Sequence, residues 1–230
     1  MQYYTLTYDV DSDETGPVYP QAVFKNPKKQ EPNPVLMANM ALDGASLPDT
    51  ILNFDYLELN KGAKLTDLMS SSLRGNGFLM SEKLKKIIEK SNITDYRFYE
   101  VKLFDKIKEI KGYYYFHSTS CLRDFINFPT SKFYIGDTIK DFIRDLDFIP
   151  NSFDDLQIHR KSLPYVKELV WVKQFYLANN FPFNLELFRI NAFNYEFFIT
   201  TKFKEKLEQN NITGLNIRPV MDLIKAPNLA

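Results

Sequence analysis

Apolar and polar side chains alternate at the start of the chain, with Tyr4, Leu6, Tyr8 and Val10 on one side and Tyr3, Thr5 and Thr7 on the other. A period of two, filled by aromatic and β-branched residues, predicts a strand. From Asp11 to about Pro48 no period holds. Pro17, Pro20, Pro27, Pro32 and Pro34 punctuate this stretch, each fixing φ and removing a backbone donor. It predicts a long ordered loop carrying one short strand, placed to wrap the core or meet a partner. The apolar run Ile51 to Leu59 predicts a second strand, and Gly112–His117, Ser131–Ile135 and Glu168–Leu177 predict further ones. Leu187–Ile190 and Tyr195–Ile199, separated by Asn-Ala-Phe-Asn, predict a hairpin. After Asp137 the period changes. Ile139, Phe142, Ile143 and Leu146 fall at i, i+3, i+4 and i+7, which predicts a helix over 138–147 capped by Asp137 and stopped by Pro150.

The chain also contains a repeat. Phe78 to Val101 aligns without a gap on Phe197 to Val220, with eight of 24 positions identical: Phe78/Phe197, Lys83/Lys202, Lys85/Lys204, Glu89/Glu208, Asn92/Asn211, Ile93/Ile212, Thr94/Thr213 and Val101/Val220. Two copies predict a duplicated supersecondary unit, related by a pseudo-twofold or by translation along a sheet. Each copy predicts a short strand, a helix capped by Ser81 or Thr200, and a second strand. Leu84, Ile87 and Ile88 give the first helix an apolar stripe, and Phe203 and Leu207 keep it in the second. Asn-Ile-Thr closes each helix, and Gly214 is suited to the left-handed turn of the second copy. Lys85/Glu89 and Lys204/Glu208 are i, i+4 pairs on the outer faces, each worth a few tenths of a kcal/mol.

These elements predict one α+β domain over residues 1–230, with mainly antiparallel sheets and a few packed helices. Residues 1–60 form the strand and Pro-rich region, and 70–220 the core. A parallel α/β fold needs more helices and fewer hairpin-like connections. The composition is 44% hydrophobic and 25% charged, which supports a sizeable core and not disorder. Aromatics reach 15%, mostly 20 Phe and 14 Tyr, and lean toward β structure. Lys+Arg and Asp+Glu balance at 29 each, without the basic excess of a general nucleic-acid binder. Cys121 is the one cysteine, so no internal disulfide framework or Cys-based zinc site is expected, and a free thiol fits a reducing compartment. The N-terminus shows no signal-peptide pattern and no run approaches the ~20 apolar residues of a membrane span. The expected location is the cytoplasm.

Gly77-Phe-Leu-Met-Ser-Glu-Lys-Leu-Lys-Lys-Ile-Ile-Glu, Tyr96-Arg-Phe-Tyr-Glu-Val-Lys, the tyrosine-rich strand 113–116, Leu187-Phe-Arg-Ile and Phe197 to Val220 carry a resemblance. Over roughly residues 70–220 the chain resembles the bacterial polymorphic-toxin immunity proteins of the myxococcal type, long catalogued as a domain of unknown function. The first 50 residues match only in an opening strand. The resemblance implies a cytosolic antidote that binds and blocks a cognate toxin protein made by the same cell. It implies no catalytic residue and no cofactor.

Candidate chemistry is sparse. Asp9-Val-Asp-Ser-Asp-Glu-Thr-Gly16 hints at a calcium loop, but Glu14 and Pro20 stand where an EF-hand needs Gly and Glu, and a solvated turn is the expectation. His117 and Cys121 lack an orienting third group for thiol catalysis. Two isolated histidines give no metal cluster. Arg74-Gly-Asn-Gly77 precedes a strand, unlike a phosphate-binding loop, and predicts a turn. The segment Asp137 to Asp155 holds Asp137, Asp141, Asp145, Asp147, Asp154 and Asp155 against only Lys140 and Arg144. On the expected helix, Asp137, Asp141 and Asp145 share one face, placed to steer and hold a basic toxin; a solvated helix face is the plain alternative. The expected function is therefore toxin neutralisation by protein binding, without nucleic acid, membrane, cofactor or metal, and the sequence leaves the oligomeric state open. The alternatives are an enzyme using Asp154 and Asp155 as acid and base, and a scaffold or ligand-binding module. Adjacent acids on a strand would point to opposite faces, which weakens the enzyme.

Overall fold

The computed structural model describes residues 2–25, 54–73, 76–118, 122–137, 142–146, 148–162, 168–190, 197–220 and 224–225. In chain order the elements are β1 (Tyr3–Tyr8), β2 (Ala22–Phe24), β3 (Phe54–Leu59), β4 (Leu68–Met69), β5 (Gly77–Ser81), α1 (Glu82–Glu89), β6 (Tyr96–Asp105), β7 (Lys108–Ser118), β8 (Lys132–Asp137), β9 (Phe142–Asp145), α2 (Phe153–Ser162), β10 (Glu168–Tyr176), β11 (Leu187–Arg189), β12 (Phe197–Thr200), α3 (Thr201–Gln209), β13 (Leu215–Pro219) and β14 (Ile224–Lys225). The fold is α+β with mostly antiparallel pairing; β3 with β6 and β10 with β14 are parallel.

Both repeat copies take the same strand–helix–strand form and differ at Asn211, left-handed at φ 47° where its equivalent Asn92 is not. β5, α1 and β6 form the first, and β12, α3 and β13 the second. The Ser81 hydroxyl accepts the Leu84 N–H at 3.3 Å, and the Thr200 hydroxyl accepts the Phe203 N–H at 3.4 Å. Each cap satisfies an orphan donor and contributes about 1 kcal/mol. The predicted apolar stripes are buried on both helices. Each helix returns through a left-handed residue, Asp95 at φ 48° in one copy and Gly214 at φ 77° in the other.

The structural repeat is longer than the sequence repeat. At the same offset, β4 pairs with β5 as β11 pairs with β12: Leu68 lies opposite Met80, and Leu187 opposite Ile199. Within each copy the two main strands are not neighbours, for a third strand lies between them. In the first copy it is β7, with Phe116 opposite both Phe78 and Phe98; in the second it is β1, with Leu6 opposite both Phe197 and Ile217. The strand orders β4-β5-β7-β6 and β11-β12-β1-β13 are the same arrangement. The middle strand follows the repeat in the first case and comes from the N-terminus in the second.

Strand alternation then builds three cores. Phe78, Met80, Leu84 and Phe116 from the first unit meet Leu6, Phe197, Ile199 and Phe203 from the second in a shared central core. The opposite face of the first unit carries Met69, Leu79, Tyr113 and Tyr115, covered by Ala22, Phe24, Phe54 and Leu57. β2 and β3 extend that sheet to the order β2-β3-β6-β7-β5-β4, and a bridge from Ala22 to Ser71 joins its two ends. The Ala22 N–H donates to the Ser70 carbonyl and the Ser72 N–H to that of Ala22. The six strands thus close into a small barrel filled by side chains, which removes its edges. The outer face of the second unit, with Tyr3, Phe188 and Phe198, is covered by a third sheet of order β14-β10-β8-β9 through Phe133, Ile135, Val170 and Phe175.

Two expectations need correction. The segment predicted as a helix over 138–147 holds a strand: Gly136 lies opposite Ile143 and Asp137 opposite Phe142 in an antiparallel ladder. Four matches to a helical period do not outweigh a neighbouring strand that takes up the backbone donors, and Phe and Ile suit either state. Residues 138–141 and Asp147 lie outside the described residues. Pro150 does not end an element either. It precedes α2, whose first turn contains Asp154 and Asp155, so these two are helical and not on a strand. Of the long loop 11–48, the short strand is β2; residues 26–48 lie outside the described residues.

Candidate functional site

The third sheet carries Asp137 and Asp145 of the acid-rich segment and one unusual surface. Its inner residues are core, with Phe133 at 5% and Ile135 at 1% exposure. On its other face Trp171, the single tryptophan of the chain, is 38% exposed. Trp171 lies opposite Tyr134 in the ladder. A Cβ placed on Gly136 would come within 3.1 Å of the Trp171 ring and 3.6 Å of the Tyr134 ring. The missing side chain at 136 therefore leaves room for the indole over β8, with Tyr134 beside it on the same face.

The register connects this face to the acids. Asp145 lies opposite Tyr134, which lies opposite Trp171, so the three occupy one row across β9, β8 and β10. Asp137 lies opposite both Phe142 and Glu168, three rows away. The single helical face expected for Asp137, Asp141 and Asp145 does not form, because 142–145 is strand. Asp141 and Asp147 lie outside the described residues. Asp154 and Asp155 belong to another layer, since α2 packs through Leu156 into the core beneath the sheet. Asp155 is occupied structurally: its carboxylate accepts the Asn151 N–H at 2.9 Å, while its own N–H donates to the Ser152 hydroxyl at 3.1 Å. Ser152-x-x-Asp155 is a capping signal that marks the start of α2 in the sequence.

The other candidate motifs resolve into structure. Asp9–Gly16 is a turn in which the Ser12 and Thr15 hydroxyls bond each other's backbone N–H, and Glu14 accepts the Gly214 N–H. His117 is fully buried on β7, and Cys121 lies outside the described residues. Gly77 is needed because a Cβ there would fall 1.7 Å from the Phe116 carbonyl oxygen; Arg74 and Gly75 lie outside the described residues. Among the described residues, no group of three His, Cys, Asp or Glu is placed to hold a metal ion, and no helix is long and apolar enough to cross a membrane.

Two acids have no local signal in the sequence beyond their equivalent positions: Asp67, which is partly buried, and Glu186, which is buried. Asp67 accepts the Ser81 hydroxyl at 2.6 Å within its own unit and the Thr213 N–H at 3.1 Å from the other. Glu186, 5% exposed, pairs with Lys202 at 2.6 Å and Lys206 at 2.5 Å, and its N–H donates to the Asn92 carbonyl across the junction. Burial pushes the Glu186 carboxyl up, but hydrogen bonds from Lys202 and Lys206, the Lys206 charge and a hydrogen bond from Ser91 outweigh it and leave the group below its ordinary range. Burial, and then the Asp67 charge, push the Tyr113 hydroxyl up to about 12; it donates to the Thr66 carbonyl at 3.0 Å. Of these bonds, Thr213 N–H to Asp67 and Glu186 N–H to the Asn92 carbonyl hold the two units together. Against known proteins, no family model matches the chain and no curated sequence matches it.

Proposed function

We propose that this chain is an immunity protein that binds and neutralises a cognate bacterial toxin domain in the cytoplasm of the cell that makes both, and that it does so by surface contact without chemistry of its own. The observation that carries the reading is Trp171, exposed over Gly136 beside the half-buried Tyr134 and aligned in register with Asp145. Tryptophan and tyrosine are the residues that most often dominate binding energy at interfaces. Acidic positions beside them favour and steer a basic partner, such as a domain acting on nucleic acid. The segments that carry the family resemblance build the two repeat units, which act as a rigid support for the third sheet.

The test is co-expression of this chain with the polypeptide encoded beside its gene, read by growth rescue and by pull-down of the purified pair. Rescue that is lost with Trp171→Ala or Asp145→Lys, in variants that keep their fold by circular dichroism, supports the reading. Full rescue by both variants removes this face, and failure of the unaltered chain to bind or rescue removes the function.

A further inference from the structure

Of the seven large apolar side chains exposed among the described residues, three come to one corner: Tyr19 at 62%, Leu65 at 47% and Val10 at 41%. Val10 follows the end of β1, and Tyr19 packs back on that end. The Tyr8 and Tyr19 rings lie 6.0 Å apart and their hydroxyls bond at 3.0 Å. Burial, then the hydrogen bond and the charge of Tyr19, push the Tyr8 hydroxyl up to about 12, so this phenol stays neutral beside its neighbour. Tyr8 lies opposite Leu215. A Cβ on the preceding Gly214 would fall 2.7 Å from that of Thr66, which follows Leu65. Apolar residues scattered singly over a surface need no explanation, but grouped ones mark a contact site.

The corner is fixed before any partner arrives. The Asp9 N–H donates to the Gly214 carbonyl at 2.9 Å, and the Gly214 N–H donates to the Glu14 carboxylate. Lys64 holds the turn twice, with its N–H on the Thr15 carbonyl at 2.9 Å and its Nζ on the Asp13 carbonyl at 2.7 Å. A surface already ordered loses little conformational entropy on binding. Its charge is one-sided. Residues 8–20 hold Asp9, Asp11, Asp13 and Glu14 and no Lys, Arg or His, and Asp11, Asp13 and Glu14 are exposed. Among the described residues these carboxylates form no group placed to hold a metal ion. They are spread instead to meet several separate positive charges.

Granted the toxin-binding function above, we propose that this corner is a second docking surface for the toxin. It takes a basic face in which one apolar side chain, ringed by lysines or arginines, seats on Tyr19, Tyr8 and Leu65. Tyrosine serves such contacts because it offers a large apolar ring and a polar edge at little rotamer cost. The acids steer the encounter and exclude acidic partners. The corner stands at the Tyr8 end of β1, whereas Tyr3 at the other end packs under the third sheet. Five residue steps, about 17 Å of strand, therefore separate it from the sheet that carries Trp171, and the two surfaces can be altered one at a time.

The test titrates the full chain with the purified polypeptide encoded beside its gene, at low salt and at about 0.5 M salt. Tyr19→Ala should weaken binding about thirtyfold at both salts, while Tyr19→Phe, which keeps the ring, should stay within about threefold of the unaltered chain. Asp11→Asn with Asp13→Lys should slow association about tenfold at low salt and lose that effect at high salt; asparagine keeps the φ of 51° at position 11 accessible. Trp171→Ala reports on the third sheet separately. If Trp171→Ala weakens binding while Tyr19→Ala and the charge variant stay within about twofold of the unaltered chain, the corner is overturned and the toxin-binding function stands. If the unaltered chain does not bind, both fall. Hydroxyl-radical footprinting of the unaltered pair needs no variant: Tyr19 and Leu65 should be protected in the complex, and full reactivity there overturns the proposal.

Discussion

Phe78 and Phe197 are the first residues of the two repeat copies, and their rings meet at 4.4 Å in the central core. Contact between equivalent residues is what a twofold relation produces, because the same patch faces itself. Translation along a sheet would have set Phe78 against a different position of the second copy. The rest of the junction follows the same logic. Asp67 and Glu186, equivalent acids, each tie their unit to the loop that ends the other unit's helix. Lys85 lies 5.0 Å from the Tyr114 ring, and its equivalent Lys204 lies 5.5 Å from the equivalent Tyr4 ring.

Phe78→Ala and Phe197→Ala each remove a ring that is at most 5% exposed and should cost about 3–5 kcal/mol in urea unfolding. The double variant should lose less than the sum by about 1 kcal/mol, since each single change already removes the shared contact. Strict additivity would mean the two rings do not interact in solution.

Gly214→Ala should destabilise by about 2 kcal/mol or more, because its φ is 77° and a Cβ would fall 2.1 Å from the Leu68 carbonyl oxygen. At the equivalent position Asp95→Gly should be neutral or should stabilise by up to about 1 kcal/mol, since it relieves a φ of 48°. Thermal melts of the two variants should therefore shift in opposite directions, or only the first should shift.

The depressed Glu186 carboxyl makes stability depend on pH in a defined direction. A group whose folded pKa lies below its unfolded value of about 4.5 contributes its full stabilisation above that pH and loses it as the pH falls through the folded value. Glu186→Gln should leave Lys202 and Lys206 without their shared partner, costing about 1 kcal/mol near neutrality, because the Lys202 side chain is 71% exposed and water takes over its charge. It should also flatten the fall of melting temperature below pH 4.5. Melting curves recorded from pH 3 to 7 read both effects; an unchanged acid limb would assign the pH sensitivity elsewhere.

Trp171→Ala should leave unfolding within about 1 kcal/mol of the unaltered chain, since the ring is partly exposed. It should weaken binding to the proposed toxin by about 2 kcal/mol, roughly thirtyfold, in titration calorimetry. Gly136→Val should displace the ring and weaken binding in the same direction, given the 3.1 Å separation.

The α+β class, the β1 strand, the two strand–helix–strand units, their caps and the buried faces of α1 and α3 are all determined by local pattern. Those signals depend on periods of two and 3.6 and on a hydroxyl before a helix, which act within a dozen residues. The apolar spacing of 142–145 satisfies a helical template, and only pairing with the adjacent β8 makes it a strand. Nothing local in residues 1–10 says that β1 will stand between β12 and β13, or that Ala22 will meet Ser71 and close a barrel. Such pairings are set by which edges remain unsatisfied once distant segments have packed. The exposure of Trp171 beside Tyr134 is invisible to local pattern for the same reason: a lone tryptophan in a strand pattern reads as core until the sheet's other face is seen to be the covered one.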